Sequence, residues 1–281
     1  MIKIGFHASI AGGVDKSVDR VRERRCDTFQ IFTCNPRGWK YGPLKSEEAR
    51  LFVEKLERYK ISPAVAHMPY LPNLATPDEE TYKKSCEILR VQLERCAQLS
   101  IPYLVTHLGS HLGRGVEFGF QRIIRALNNA LSETSGNSTI ILLENTAGAM
   151  NSMGSSFENI KHIIDGVKEG KRVAVCFDTC HAFASGYDLR TAEAIRTTLD
   201  RFDRVLGLEN LKAIHLNDSK GDINSNLDRH EHIGLGHIGE KGFRALFKAE
   251  ELQDHPFILE TPIDARRDDR GNIEKVKELA E

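Results

Sequence analysis

The chain has 281 residues, 40% of them apolar and 28% charged, with a formal net charge of −1 at pH 7. That length suits one α/β barrel, which takes about 250 residues, and the apolar share excludes disordered, collagen-like and mucin-like chains. The near-neutral balance excludes a polycation held to nucleic acid by bulk attraction, although a local basic or metal-rich patch can still bind a polyanion.

Strand-like apolar runs fall at 2–6 and 28–32, and after the second the helical spacing of Leu51, Val53, Leu56 and Tyr59 begins. Further strands are predicted at 64–66, 103–106, 139–143, 173–177, 211–216 and 256–259, with helices at 78–99, 116–133, 155–169, 191–206 and 239–250. Strand-then-helix alternation implies a parallel sheet, and eight repeats over this length predict a closed (β/α)8 TIM barrel. An open doubly wound sheet is the alternative, because strand count does not establish closure. No Pro- or Gly-rich linker divides the chain, so residues 1–281 are expected to form a single domain. The apolar runs are far shorter than the ~20 residues of a membrane span. Six cysteines without a CxxC pair suggest neither a disulfide framework nor a thiolate zinc site. Ile2, Ile4 and Phe6 enter an apolar segment without signal-peptide features, so a reducing cytoplasm is the expected compartment.

The strand ends carry the chemistry. In order they present His7, then Thr33 as the exception, His67, His107, Glu144, Asp178, His215 and Glu260. In a closed barrel these positions converge on the face that bears the loops following the strands. A buried cluster of carboxylates suffers repulsion and desolvation unless cations compensate it. Three loop residues extend the set. His181 follows Asp178 in Asp-Thr-Cys-His, and Asp228 and His230 stand two apart in Asp-Arg-His. The nine candidates are His67, His107, Glu144, Asp178, His181, His215, Asp228, His230 and Glu260. Imidazoles and carboxylates together suit zinc or manganese better than magnesium or calcium. Nine donors suit two or three ions sharing a carboxylate. Three divalent ions against four carboxylates leave about +2, a pocket for an anion, and metals lower the pKa of bound water to about 7. No GxSxG or GxxxxGK[ST] pattern offers another mechanism. Ala11-Gly12-Gly13 reads as a turn, and Cys176 and Cys180 as packing residues.

These segments closely resemble the endonuclease IV family (AP endonuclease family 2, deoxyribonuclease IV) along essentially the whole chain. The matching pieces are His7-Ala-Ser with Ala11-Gly-Gly, Glu144-Asn-Thr, Phe177-Asp-Thr-Cys-His, His215-Leu-Asn-Asp-Ser, Asp228-Arg-His-Glu-His-Ile-Gly and Glu260-Thr-Pro. The resemblance implies a TIM barrel with three Zn2+ per chain, Mn2+ being compatible with one site, that cleaves duplex DNA 5′ to an abasic site. His67, His107 and Glu144 would hold one ion. Glu144 would bridge to a second, completed by Asp178, His215 and Glu260, and His181, Asp228 and His230 would hold the third. Glu260 and Glu144 are the implied catalytic carboxylates, Glu260 also orienting the nucleophile.

By the same resemblance, Arg37, Tyr70 and Leu71 enter the duplex at the lesion, where lost stacking makes distortion cheap. Lys220 and Arg229 are candidate phosphate contacts. Trp39 either packs beside this wedge or anchors its loop. The implied protein is a monomer of base-excision DNA repair, cytoplasmic and nucleoid-associated, with no membrane partner and no nucleotide cofactor. Two rivals share features. A metal-dependent sugar isomerase or epimerase of the xylose isomerase-like barrels needs only Glu144, Asp178, His215 and Glu260. A non-catalytic module for damaged DNA needs no complete ligand set.

Overall fold

The computed structural model describes residues 2–281. Its elements run β1 (Lys3–Phe6), α1 (Val14–Glu23), β2 (Phe29–Phe32), α2 (Ser46–Tyr59), β3 (Ala64–His67), α3 (Glu79–Gln98) and β4 (Tyr103–Thr106). They continue with α4 (Val116–Glu133), β5 (Ile140–Glu144), α5 (Phe157–Gly166), β6 (Val173–Asp178), α6 (Thr179–Ala184) and α7 (Ala192–Leu206). Last come β7 (Leu211–His215), β8 (Asp218–Ser219), β9 (His230–Glu231), α8 (Gly239–Leu246), β10 (Pro256–Leu259) and α9 (Asp269–Ala280). The predicted strands are all present, shifted by at most one residue at either end.

Two helices are shorter than expected. The chain turns extended at Val167 straight after Gly166 and again at Ala249, so α5 and α8 stop before 169 and 250. The elements α1, α6, α9 and the β8–β9 ribbon are ones the sequence reading does not supply. Side-chain caps start several helices: Asp78, Ser156, Asp178, Thr191 and Asp268 each accept from the backbone N–H three residues on, satisfying donors that a helix end leaves free.

Strands β1–β7 and β10 form one parallel sheet in the order β1-β10-β7-β6-β5-β4-β3-β2. The ends of that order meet. His7 bridges Gln30 in parallel fashion, Ala8 N donates to Gln30 O at 2.7 Å, and Asp27 N donates to Ile4 O at 3.0 Å. Gly5 permits this seam, because a Cβ there would lie 2.0 Å from the Thr28 carbonyl oxygen. The sheet is therefore a barrel, without the free edges of an open doubly wound sheet.

Strand parity then decides what faces the lumen. Side chains two apart share a face, and Val65, Val105, Leu142, Ala174, Cys176, Ala213 and Ile258 form a small buried cluster inside the barrel. Their neighbours, among them Ala64, Ala66, Ile141, Leu143, Phe177, Ile214 and Phe257, belong to the larger cluster beneath the helices. Two residues beyond the interior layer stand His67, His107, Glu144, Asp178, His215 and Glu260. The same alternation that fills the lumen with apolar side chains thus brings six chemical groups onto one rim above it.

Candidate metal centre

Three overlapping groups of donors form at this rim. Their ligand atoms lie within 4.8 Å of one another: His67, His107 and Glu144; Glu144, Asp178, His215 and Glu260; and Asp178, His181 and His230. Glu144 is at the hub. Its Oε2 lies 3.3 Å from His67 Nε2 and 3.5 Å from His107 Nε2, and its Oε1 lies 2.9 Å from His215 Nδ1 and 3.3 Å from His181 Nδ1. Asp228 reaches in from the solvent side, its Oδ1 3.1 Å from His181 Nε2 and 3.7 Å from His230 Nε2. The nine residues singled out from sequence therefore meet at one site. Asp178 stands beside the His181–His230 pair as well as in the His215 group, because its Oδ2 is 3.8 Å from His230 Nε2.

The ring nitrogens fit cations. His67 Nδ1 is 2.6 Å from Met68 O, His181 Nδ1 is 3.0 Å from Asn145 O, and His230 Nδ1 is 3.2 Å from Glu260 O. A carbonyl only accepts, so each Nδ1 carries its hydrogen and each Nε2 presents a lone pair. The Nε2 atoms of His181 and His230 face each other at 3.4 Å. Two lone pairs at that separation repel unless a cation or proton stands between them.

The electrostatics say the same. Burial opposes charging His181, but Asp178, Asp228 and Glu144 outweigh it and hold its pKa well above 6.5. His215 is likewise raised against its burial, by Cys176, Glu260 and Glu144. Burial works against ionised Glu144, yet His107 and His215 keep it well below 4.5. The carboxylates draw positive charge into the cluster, and divalent ions would supply it. The mixed imidazole and carboxylate donor set suits zinc.

Residues outside the donor groups position those within them. Asp178 is clamped at its main chain by Asn145, which accepts from its N–H at 2.8 Å and donates to its carbonyl at 3.0 Å. Asn217 donates to Asp178 Oδ2 at 2.7 Å and accepts from Glu260 N at 2.9 Å. The Asp178 carboxylate also caps α6, accepting from His181 N at 2.7 Å, which turns a predicted loop residue into a helical one. Asp218 gathers the loop after β9: its oxygens accept from Gly234, Gly236 and Ile238 at 3.0, 2.9 and 3.0 Å. Gly236 allows that approach, since a Cβ there would lie 2.4 Å from Ser219 O. The sequence reading misses Asn145, Asn217 and Asp218, although each adjoins or closely follows a ligand in a quoted motif. It also misses Gln30, whose amide touches His215 and Glu260. Thr33, the one strand end set apart as an exception, points to Gln92 and Arg95 beneath the rim.

A cavity of about 310 Å³ opens over the donors, lined by His7, Phe32, His107, Asp228, Glu260 and Ile263, among others. Tyr70 lines it too; its side chain is 67% exposed and its ring meets Phe32 edge-on at 5.0 Å. Leu71 beside it is partly exposed. Arg37 is exposed in the loop after β2, its backbone N–H held by Asn35 Oδ1 at 3.1 Å. Lys220 and Arg229 are exposed neighbours on the β8–β9 ribbon, joined by a 3.0 Å backbone hydrogen bond. Trp39 packs on the core with Lys84 over its ring, and so anchors its loop on α3. All six cysteines are free, and burial lifts Cys176 to about 11 and Cys180 to about 12. Neutral thiols at those values are packing groups.

Known proteins share this architecture. The family model described as a xylose isomerase-like TIM barrel matches residues 18–281. The chain is 51% identical over 280 residues to a probable endonuclease 4 of Methanoculleus marisnigri, covering 100% of this chain and 99% of that protein. It is 52% identical over 281 residues to a probable endonuclease 4 of Nitrosopumilus maritimus, covering 99% and 100%. Among solved structures, endonuclease IV of Thermus thermophilus superposes with a TM-score of 0.86 at 36% identity, over 99% of this chain and 97% of that one. A D-tagatose 3-epimerase-like protein, at 20% identity and a TM-score of 0.75 over 99% and 96% of the two chains, shares the fold. Full-length identity near one half and a shared barrel fold make the chain a member of the endonuclease IV family, and with it a phosphodiester-hydrolysing enzyme.

Proposed function

We propose that the chain is a zinc-dependent apurinic/apyrimidinic endonuclease of base-excision repair. It hydrolyses the phosphodiester 5′ to an abasic site in duplex DNA, leaving a 3′-hydroxyl and a 5′-deoxyribose phosphate. The observation that carries this reading is the set of three donor groups chained through Glu144 and Asp178 at the floor of an open cavity. His67, His107 and Glu144 hold one ion, Glu144, Asp178, His215 and Glu260 a second, and His181, Asp228 and His230 a third. Zinc fits all three, and Mn2+ is tolerated at one. When bound, the metals supply Lewis-acid charge to the phosphate and acidify water towards a pKa of about 7.

The chain's own groups do the rest. Glu260 is held at Oε1 by Gln30, 2.6 Å away, and its carboxylate orients the attacking water and accepts its proton. Glu144 balances the charge of two neighbouring ions. Arg37, Tyr70 and Leu71 occupy the space left by the missing base, while Lys220 and Arg229 meet the backbone phosphates. Among the described residues, the exposed large apolar side chains Tyr70, Leu71, Leu112, Val116, Met150, Leu227, Leu235 and Ile263 all follow strand ends on the face that carries the cavity. Such an apolar surround suits a macromolecular substrate more than a free sugar. Residues 1–281 act as one domain and as a monomer, without a nucleotide cofactor. Among the described residues no helix is long and apolar enough to cross a membrane, and the reading places the enzyme in the cytoplasm at the nucleoid.

The test is incision of a duplex oligonucleotide with one central abasic analogue, beside an intact duplex, each with and without prolonged chelation. Cutting immediately 5′ of the lesion, lost on chelation and restored by zinc, is expected. No incision by folded, fully metallated protein would overturn the reading, and turnover of a ketose or aldose by that protein would install the sugar isomerase in its place.

A further inference from the structure

Gln30 is fully buried on β2 and uses its whole amide at the metal centre. Its Oε1 lies 2.8 Å from His215 Nε2, and its Nε2 lies 2.6 Å from Glu260 Oε1 and 3.0 Å from His7 Nδ1. Only one orientation of the amide satisfies these contacts. Reversed, it would set a carbonyl against the Glu260 carboxylate, two acceptors at hydrogen-bond distance. In the satisfied orientation the carbonyl accepts from His215, so His215 carries its hydrogen on Nε2. The two amide hydrogens then go to Glu260 and His7.

The consequence falls on the opposite ring nitrogen. With Nε2 protonated, the lone pair of neutral His215 sits on Nδ1, which faces Glu144 Oε1 at 2.9 Å, Glu260 Oε2 at 3.3 Å and Asp178 Oδ2 at 4.0 Å. His67, His181 and His230 have this choice made by backbone carbonyls. For His215 one side chain makes it, and the same side chain decides which oxygen of Glu260 is left for the cavity.

We propose that Gln30 is a positioning residue of the metal centre, fixing the His215 tautomer and the Glu260 rotation together without binding an ion. The proposal rests on reading Glu144, Asp178, His215 and Glu260 as metal ligands. Residues that orient metal-bound imidazoles and carboxylates are worth about 10- to 100-fold in metal affinity or activity.

The experiment compares the full chain with Gln30→Met, which is close in volume but has no donor or acceptor. Zinc retained against graded chelator is counted by elemental analysis, and the His215 tautomer is read from long-range 1H–15N correlations of the metal-free protein at a pH where the ring is neutral. The parent comes first: failure to retain zinc would sink the metal reading itself, whatever Gln30 does. With zinc retained by the parent, Gln30→Met should release one of its ions at about 10- to 100-fold lower chelator. It should also lose the Nε2–H signature of His215, and lower kcat while KM for abasic duplex stays within about twofold. Unchanged zinc retention and tautomer in the folded variant would overturn the proposal. So would equal weakening of every ion together with a lower melting temperature of the metal-free form, the mark of a general packing defect. Should Gln30→Met fail to fold, Gln30→Ala, which cannot crowd the site, decides by the same readouts.

Discussion

Replacing Glu260 with Gln isolates its charge from its shape. The amide carbonyl of the variant can accept from Gln30 Nε2 in place of Oε1, now 2.6 Å away, while its NH2 meets the His215 Nδ1 lone pair that faces Oε2 at 3.3 Å. Every contact is replaced, so folding is expected to survive. The loss is electrostatic. One unit charge acting at about 4 Å in a medium of effective dielectric ~20 is worth about 4 kcal/mol, or roughly 10³-fold in rate. Single-turnover incision of an abasic duplex should therefore slow by about three orders of magnitude. Binding of the same duplex should be unchanged or tighter, since a negative group near the phosphate has been neutralised. Zinc content measured alongside separates lost ligand from lost chemistry. Incision within about tenfold of the parent, with zinc retained, would remove Glu260 from the reaction.

Tyr70→Ala should weaken binding of abasic duplex by about 1–3 kcal/mol, the worth of one aromatic–base contact, and leave zinc untouched; zinc loss in that variant would mark Tyr70 as a support of the site. Asp218→Ala strands several buried N–H donors at about 1–3 kcal/mol each. It should lower the melting temperature by about 10 °C and free the zinc of the His181, Asp228 and His230 group first; release of all ions at one chelator concentration would count against it. Acid stability is expected to depend on Lys55, whose Nζ lies 2.7 Å from Asp15 Oδ2. Burial opposes the Asp15 charge, but the Lys55 hydrogen bond and charge outweigh it and keep the pKa below 3.8. A depressed carboxyl stabilises the fold above its unfolded pKa and is lost as pH falls through the folded value. Urea unfolding between about pH 2 and 6 should thus show a shallower acid-side slope for Lys55→Met, and identical slopes would refute the assignment.

Residues ending an apolar run were readable because strand parity carries information along one segment. His67 follows Val65 by two, Glu144 follows Leu142 by two, and each pair shares the lumen face. His181 and the Asp228–His230 pair were readable only through motif likeness, for nothing in their spacing tells that α6 and the β8–β9 ribbon fold over the rim. Gln30 was invisible for a different reason. It is neither His nor carboxylate, it lies inside a strand instead of at its end, and its role appears only when β2 closes on β1. Thr33 stands as the exception among the strand ends through the same parity: Phe32, one residue earlier, pairs in register with His67, so position 33 points away from the lumen towards Arg95. Helix ends were misjudged where apolar content outlasts the helix, as at Val167 and Ala249. Only backbone geometry after Gly166 or Phe247 stops them.

The site thus has two mechanical halves. His67, Glu144, Asp178 and His215 are the last residues of barrel strands, and moving them means deforming a closed parallel sheet. His181, Asp228 and His230 lie on or beside a six-residue helix and a two-residue ribbon strand, elements too short to hold a shape alone. They are held by what the rigid half offers: the Asp178 cap on His181, the Asn145 carbonyl on the same ring, and the Glu260 carbonyl on His230. Backbone and carboxylate groups of the strand ends therefore serve twice, as part of one donor group and as anchor of the next. Order in the loop-borne group depends on order in the strand-borne group, while the reverse dependence is weak. Metal loss should accordingly run from the solvent side inward, beginning at Asp228 and His230 and ending at Glu144.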